Sequence, residues 1–113
     1  MDDLELLQGT LDVLVLKTLS WGPRHGYAVS QWIRDTTDDA LQVNEGALYT
    51  ALHRMEKRGW LKSAWGLSEN NRRAKYYELT AAGRQQLRAK TAVWTHYAQA
   101  VFKVLQVERP VGV

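Results

Sequence analysis

Hydrophobic residues recur at helical spacing in four segments of the chain and alternate at strand spacing in two. The first segment starts at Thr10, a candidate cap, and reaches about Ser20, with Leu11, Leu14, Val15, Leu16 and Leu19 turned inward. Trp21-Gly22-Pro23 ends it, because glycine permits the turn and proline cannot continue a helix. Tyr27, Val29, Trp32 and Ile33 give a second helix over about Gly26 to Thr36. Leu41-Gln42-Val43 reads as a very short strand behind the acidic connector Asp38-Asp39. Asn44 suits the N-cap of a third helix, with Glu45 in its first turn. There Leu48, Leu52 and Met55, joined by Ala47 and Ala51, form the apolar side. Tyr49, Thr50, His53, Arg54 and Lys57 form the other side, and Gly59 stops the helix.

The pattern then changes period. Trp60 to Trp65 alternates like a strand, Ser68 to Arg73 is polar, and Lys75-Tyr76-Tyr77-Glu78-Leu79 is again strand-like, so the stretch reads as a β-hairpin. Asn70-Asn71 tolerates the left-handed turn conformation. Thr80 caps a last helix reaching about Gln106. Leu87, Trp94 and Val101 recur along it every seven residues, flanked by Thr91, Ala98 and Leu105, in a coiled-coil-like stripe.

Three helices followed by a two-stranded wing predict a mainly α protein with a small β-hairpin, the winged form of helix-turn-helix. Residues 1–79 are expected to form the winged-helix DNA-binding part and 80–106 a C-terminal dimerisation helix, within one compact domain, with 107–113 as a tail. Leu87, Trp94, Ala98, Val101 and Leu105 are the dimer candidates, because so long an apolar stripe exceeds what a small core covers.

Composition narrows the function. A chain of 113 residues has room for one core, and 45% hydrophobic with 24% charged residues is ordinary globular usage. With no cysteine, disulfides and thiolate chemistry are excluded. The most apolar run, Leu11 to Leu19, is short and interrupted by Asp12 and Lys17, and the start Met1-Asp2-Asp3 lacks a basic region. A cytoplasmic protein away from membranes is expected. The net charge of +3 is unevenly spread: residues 1–45 carry −5, residues 46–75 carry +5 and the remainder +3. A basic middle segment that coincides with the third helix and wing suits nucleic acid.

Catalysis has little to work with. His25, His53 and His96 are scattered, the serines lack a nucleophile-elbow pattern, and there is no glycine-rich phosphate loop. His53 and Glu56 share a helix face, but two ligands do not make a metal site. No catalytic residue, metal or cofactor is expected.

Four pieces of the sequence also resemble a known family. Gly9-Thr10-Leu11-Asp12, His25-Gly26-Tyr27, Leu48 to Gly59 and Lys75 to Gly83 are similar, in order and spacing, to the PadR family of bacterial transcription regulators. The likeness covers about residues 4 to 105 and is nearest the short subfamily that includes multidrug-sensing repressors. It implies a homodimeric repressor on an inverted-repeat operator in double-stranded DNA, held together by its last helix and part of its first. In the multidrug-sensing members a tryptophan of that helix sandwiches flat aromatic compounds at the dimer centre, and Trp94 falls at the matching place. The wing departs from the glycine-rich form, reading Asn70-Asn71-Arg72-Arg73-Ala74-Lys75.

Asn44, Glu45, Thr50 and His53 are thus candidates for base edges. Tyr49 is either a phosphate contact or a half-buried core tyrosine, and Arg54 either a phosphate contact or a solvated charge. Arg72, Arg73 and Lys75 are the wing's candidates for the DNA backbone or a narrow minor groove. Glu56 and Arg58 are read as local ion-pair residues. Trp94 has two readings, an aromatic anchor of the dimer core or a platform for a planar aromatic effector, and Tyr97 shares either role. The competing function is a winged helix used only for protein–protein contact, which usually lacks cations on its third helix and wing.

Overall fold

The computed structural model describes residues 9–109 and Gly112. Residues 1–8, with the acidic start, and Pro110, Val111 and Val113 of the expected tail lie outside the described residues. The elements are α1 (Thr10–Thr18), a 3-10 turn (Leu19–Trp21), β1 (Arg24–His25), α2 (Gly26–Thr36), α3 (Glu45–Lys57), β2 (Leu61–Leu67), β3 (Arg73–Leu79) and α4 (Ala81–Leu105). This is the expected winged helix-turn-helix with a long last helix. Among the described residues, no helix is long and apolar enough to cross a membrane.

Local chemistry explains most element ends. Asn44 accepts a hydrogen bond from the Ala47 N–H at 2.9 Å, satisfying one of the free donors at the start of α3. At its other end Gly59 turns left-handed (φ 80°). There Gly59 N–H donates to Glu56 O at 3.0 Å and Trp60 N–H to Met55 O at 3.0 Å, the paired bonds of a Schellman stop. The hairpin turns at Asn71 (φ 59°), as its asparagines suggest.

Three local expectations differ from what is observed. Thr10 is the first residue of α1 rather than its cap; Gly9, left-handed at φ 85°, holds the cap position. The side chain of Thr10 instead meets α4, where its Oγ1 accepts from Trp94 Nε1 at 3.1 Å. Residues 41–43 do not form a strand, beyond an isolated bridge at Leu41. Asp38 and Asp39, both at positive φ, turn the chain there, and Thr37 Oγ1 accepts the Leu41 N–H at 3.1 Å. The third strand is Arg24–His25, which takes the free edge of β3 in the order β1-β3-β2. Ala47 is exposed, one position off the buried row of Leu48, Ala51, Leu52 and Met55.

Val15, Leu16 and Leu19 meet Val29 and Ile33 of α2 and Leu48, Leu52 and Met55 of α3 in the core, closed by Leu61 and Leu79 from the hairpin. Leu87 packs on this core from the first half of α4. Beyond it the helix leaves the core, and Val101, Phe102, Val104 and Leu105 are exposed.

The start of α4 is fixed unusually tightly. Thr80 Oγ1 accepts the Gly83 N–H at 3.0 Å and donates to Gly59 O at 2.6 Å, while Thr80 N–H donates to Trp60 O at 3.0 Å. Gly83 is buried, and a Cβ there would run into the carbonyl oxygen of Trp60. Gly83→Ala is therefore expected to cost roughly 2 kcal/mol or more, because the obstacle is backbone rather than a yielding side chain. Thermal unfolding reads this, and a variant as stable as the parent would show that the junction can give way.

Candidate nucleic-acid interface

The apolar row of α3 is buried, so the opposite row must face outward. Asn44, Glu45, Tyr49, Thr50, His53 and Lys57 are all exposed. The hairpin stands beside this row. Its register pairs Ser63 with Tyr77, Trp65 with Lys75 and Leu67 with Arg73, so these six share one face of the two strands. Along that face burial falls from Tyr77, in the core, through Lys75 to Arg73 near the tip. Tyr77 reaches from the wing to α3, and with Tyr49, Thr50, His53, Arg54 and Lys57 lines a shallow hollow. Burial raises the Tyr77 phenol above its ordinary pKa, so it stays neutral near neutral pH.

The candidate cations fall into two groups. Arg72 and Arg73 are exposed, and the Arg73 guanidinium lies 4.6 Å from the Trp65 ring centroid. Trp65 is itself largely exposed and holds that charge outward on an aromatic face. Arg54 and Lys75 are engaged by acids. Arg54 makes a two-pronged pair with Asp12 of α1, Nη2 to Oδ1 at 2.7 Å and Nη1 to Oδ2 at 2.9 Å. This pair crosses 42 residues of sequence and ties α3 to α1. Lys75 Nζ lies 3.3 Å from Glu56 Oε1. The Glu56 carboxyl sits below its ordinary pKa because Ser63 donates to it and Lys75 adds a second donor and a charge.

Tyr49 is half exposed, and its ring lies across the beginning of α2. A Cβ on Gly26 would come within 2.8 Å of that ring, so the glycine leaves the seat open. His25 caps α2 through Nδ1, which accepts from the Ala28 N–H at 3.1 Å. That bond places the ring proton on Nε2, 3.7 Å from Glu69 on the wing. Sequence reasoning passed over Asp12, Gly26 and Trp65 as parts of this surface. Only the alternation that puts Trp65 on the same face as Lys75 was visible in one dimension.

The second candidate region lies at the crossing of α1 and α4. Trp94 is 41% exposed and Tyr97 60% exposed, and both line a hollow with Thr10, Val13, Lys90 and Val93. Ala98 is partly covered, whereas Val101 and Leu105 are exposed. Among the described residues, no group of three or more His, Cys, Asp or Glu side chains is placed to hold a metal ion.

The sequence of residues 15–89 matches the profile of the transcriptional regulator PadR-like family. The chain belongs to that family. Solved structures of transcriptional regulators overlay it. A transcriptional regulator from Clostridium thermocellum is 33% identical, with a TM-score of 0.76 over 85% of this chain and 90% of that one. A PadR family regulator from Eggerthella lenta is 32% identical, with a TM-score of 0.74 over 89% of this chain and 86% of its own. A PadR-like regulator from Bacillus cereus is 28% identical, with a TM-score of 0.76 over 90% and 97% of the two chains. This PadR-like chain is accordingly a transcriptional regulator, and the surface formed by α3 and the wing is its candidate interface.

The Asp12–Arg54 pair ties that surface's helix to α1. Asp12→Ala and Arg54→Ala are each expected to destabilise the chain by about 1 kcal/mol, discounted because Arg54 is partly exposed, with the double variant no worse than either single one. Urea unfolding of the four proteins measures this, and strictly additive losses would show that the pair contributes nothing as a pair.

Proposed function

We propose that this PadR-like regulator is a homodimeric repressor that reads duplex DNA with α3 and the wing. The observation that carries the reading is the juxtaposition of an outward polar row on α3 with exposed wing arginines. Asn44, Glu45, Thr50 and His53 have the donors and acceptors that base edges need, and Tyr49 has a hydroxyl for phosphate. Arg72 and Arg73 follow the backbone beside them. Arg54 and Lys75 support the surface from within their ion pairs. These retained cations favour DNA over a purely protein-binding winged helix.

Dimerisation follows from α4. Its exposed Trp94, Val101 and Leu105, with Ala98 between them, form an apolar seam that a second copy of the same helix would bury. Two reading helices related by the dimer axis then sit about one DNA turn apart, ~34 Å, facing successive major grooves of an inverted repeat. Occupying the operator is the means of repression. A planar aromatic compound held by Trp94 and Tyr97 would release DNA if it bound one crossing angle of the α4 helices better than another.

Salt-dependent binding to duplex DNA tests the reading. Arg73→Ala is expected to weaken binding to all duplexes alike. It should also flatten the plot of log affinity against log salt by about 0.9 for each phosphate that is no longer neutralised. Thr50→Ala and His53→Ala should instead change the sequences selected from random duplex. Wild-type protein that ignores duplex DNA at low salt would overturn the proposal. Trp94→Ala is expected to weaken dimerisation, quenching by planar aromatic compounds, or both. Sedimentation and fluorescence read these, and a variant normal in both has no role for Trp94 at the seam.

A further inference from the structure

We propose that Glu56 sets the wing against the reading helix, by binding one residue of each wing strand with a single carboxylate, and that Lys75 is a positioning residue rather than a phosphate contact. The inference rests on the DNA-reading surface proposed above and concerns how that surface is held in shape.

Glu56 is the penultimate residue of α3, on the side facing the hairpin. Its Oε2 accepts from Ser63 Oγ of β2 at 2.5 Å, and its Oε1 accepts from Lys75 Nζ of β3 at 3.3 Å. Ser63 pairs with Tyr77 and Trp65 with Lys75, so Ser63 and Lys75 are diagonal neighbours on the face turned to α3. Such diagonals are about 7–8 Å apart, a gap that one carboxylate bridges by accepting a hydrogen bond from each side. The two oxygens thus take one strand each. Lys75 is held from a second side, its ammonium lying 5.4 Å from the Tyr77 ring centroid. Both members of the ion pair keep only about a third of their side-chain surface, 34% for Lys75 and 29% for Glu56.

Pairing has an electrostatic effect and a mechanical one. An unpaired carboxylate at this position on the reading helix would repel a phosphate backbone; paired with Lys75 it carries no net charge towards DNA. The wing charge available to phosphate is then that of Arg72 and Arg73. The hairpin cannot tilt away from α3 without breaking a bond to one strand or the other, so the wing tip and the polar row of α3 keep one spacing.

The test compares Ser63→Ala, Lys75→Gln, Lys75→Arg and the double variant E56Q/K75Q with an Arg73→Gln control. Each is measured for duplex affinity across a salt series and for amide exchange without DNA. Ser63→Ala, which changes no charge, is expected to weaken binding about fivefold, the scale of one partly exposed polar contact. Lys75→Gln, which leaves the Glu56 carboxylate unpaired, should weaken binding at least as much. The double variant, which removes the pair without changing net charge, should bind no more weakly than Lys75→Gln and keep the parental salt slope. Lys75→Arg should restore most of the affinity. Arg73→Gln should flatten the slope by about 0.9 per phosphate left without its cation, about 1.8 for a dimer. Without DNA, amides of β2 and β3 should exchange faster in the double variant while those of α4 do not change. A slope flattened equally by the double variant E56Q/K75Q and by Arg73→Gln would overturn the proposal by making Lys75 a phosphate contact. Parental exchange rates in the double variant would overturn it by showing that the carboxylate holds nothing. Absence of duplex binding by the parent protein defeats the DNA reading itself, and is seen before any variant is compared.

Discussion

Everything this surface does depends on a short backbone junction where three elements meet. The α3 helix ends at Gly59, β2 begins after Trp60, and α4 begins at Thr80. Thr80 binds the carbonyls of both Gly59 and Trp60, and Gly83 lets α4 press against that same Trp60 carbonyl. Between Gly83 and the Trp60 carbonyl no side chain intervenes, so there is little to repack and little room to rotate. The end of α3, the foot of the wing and the start of the long helix therefore move together. In the proposed dimer, this junction would convert a helix crossing angle into the position of α3 and the wing.

The electrostatics are divided in a way that net charge hides. The basic middle segment contains cations of two kinds, those held by acids and those left facing solvent. Arg54 with Asp12 and Lys75 with Glu56 brace α3 against α1 and against the wing, whereas Arg72 and Arg73 project from the tip. Partly covered pairs fix geometry more than they add stability, because removing charges from water offsets much of the attraction. Exposed arginines have the opposite character, contributing little to the fold and remaining available to phosphate.

Much of the fold could be read from one dimension because its signals are local. Asn44 and Gly59 bound α3, Thr80 opens α4, and Asn71 turns the hairpin, each through bonds spanning a few residues. What escaped was non-local. Arg24–His25 is too short to show a period and is a strand only because β3 offers an edge. Threonine before an apolar helical run is a common cap, but the Thr10 hydroxyl is taken by Trp94, 84 residues away. The candidate surface follows the same rule. The polar row of α3 followed from the spacing of Leu48, Leu52 and Met55, whereas the partners of Arg54 and Lys75 came from other elements and left no pattern near either residue.

The central claim is that DNA lies across α3 and the wing, with α4 turned away from it. Mapping backbone amide shifts of the isotopically labelled protein on adding a short duplex, at low salt, tests this most directly. Shifts concentrated in residues 44–53 and 68–75, fading as salt is added, are the predicted result. Shifts confined to α4 or to the face where Trp21 packs on Trp32, ring centroids 5.2 Å apart, or none at all, would contradict it.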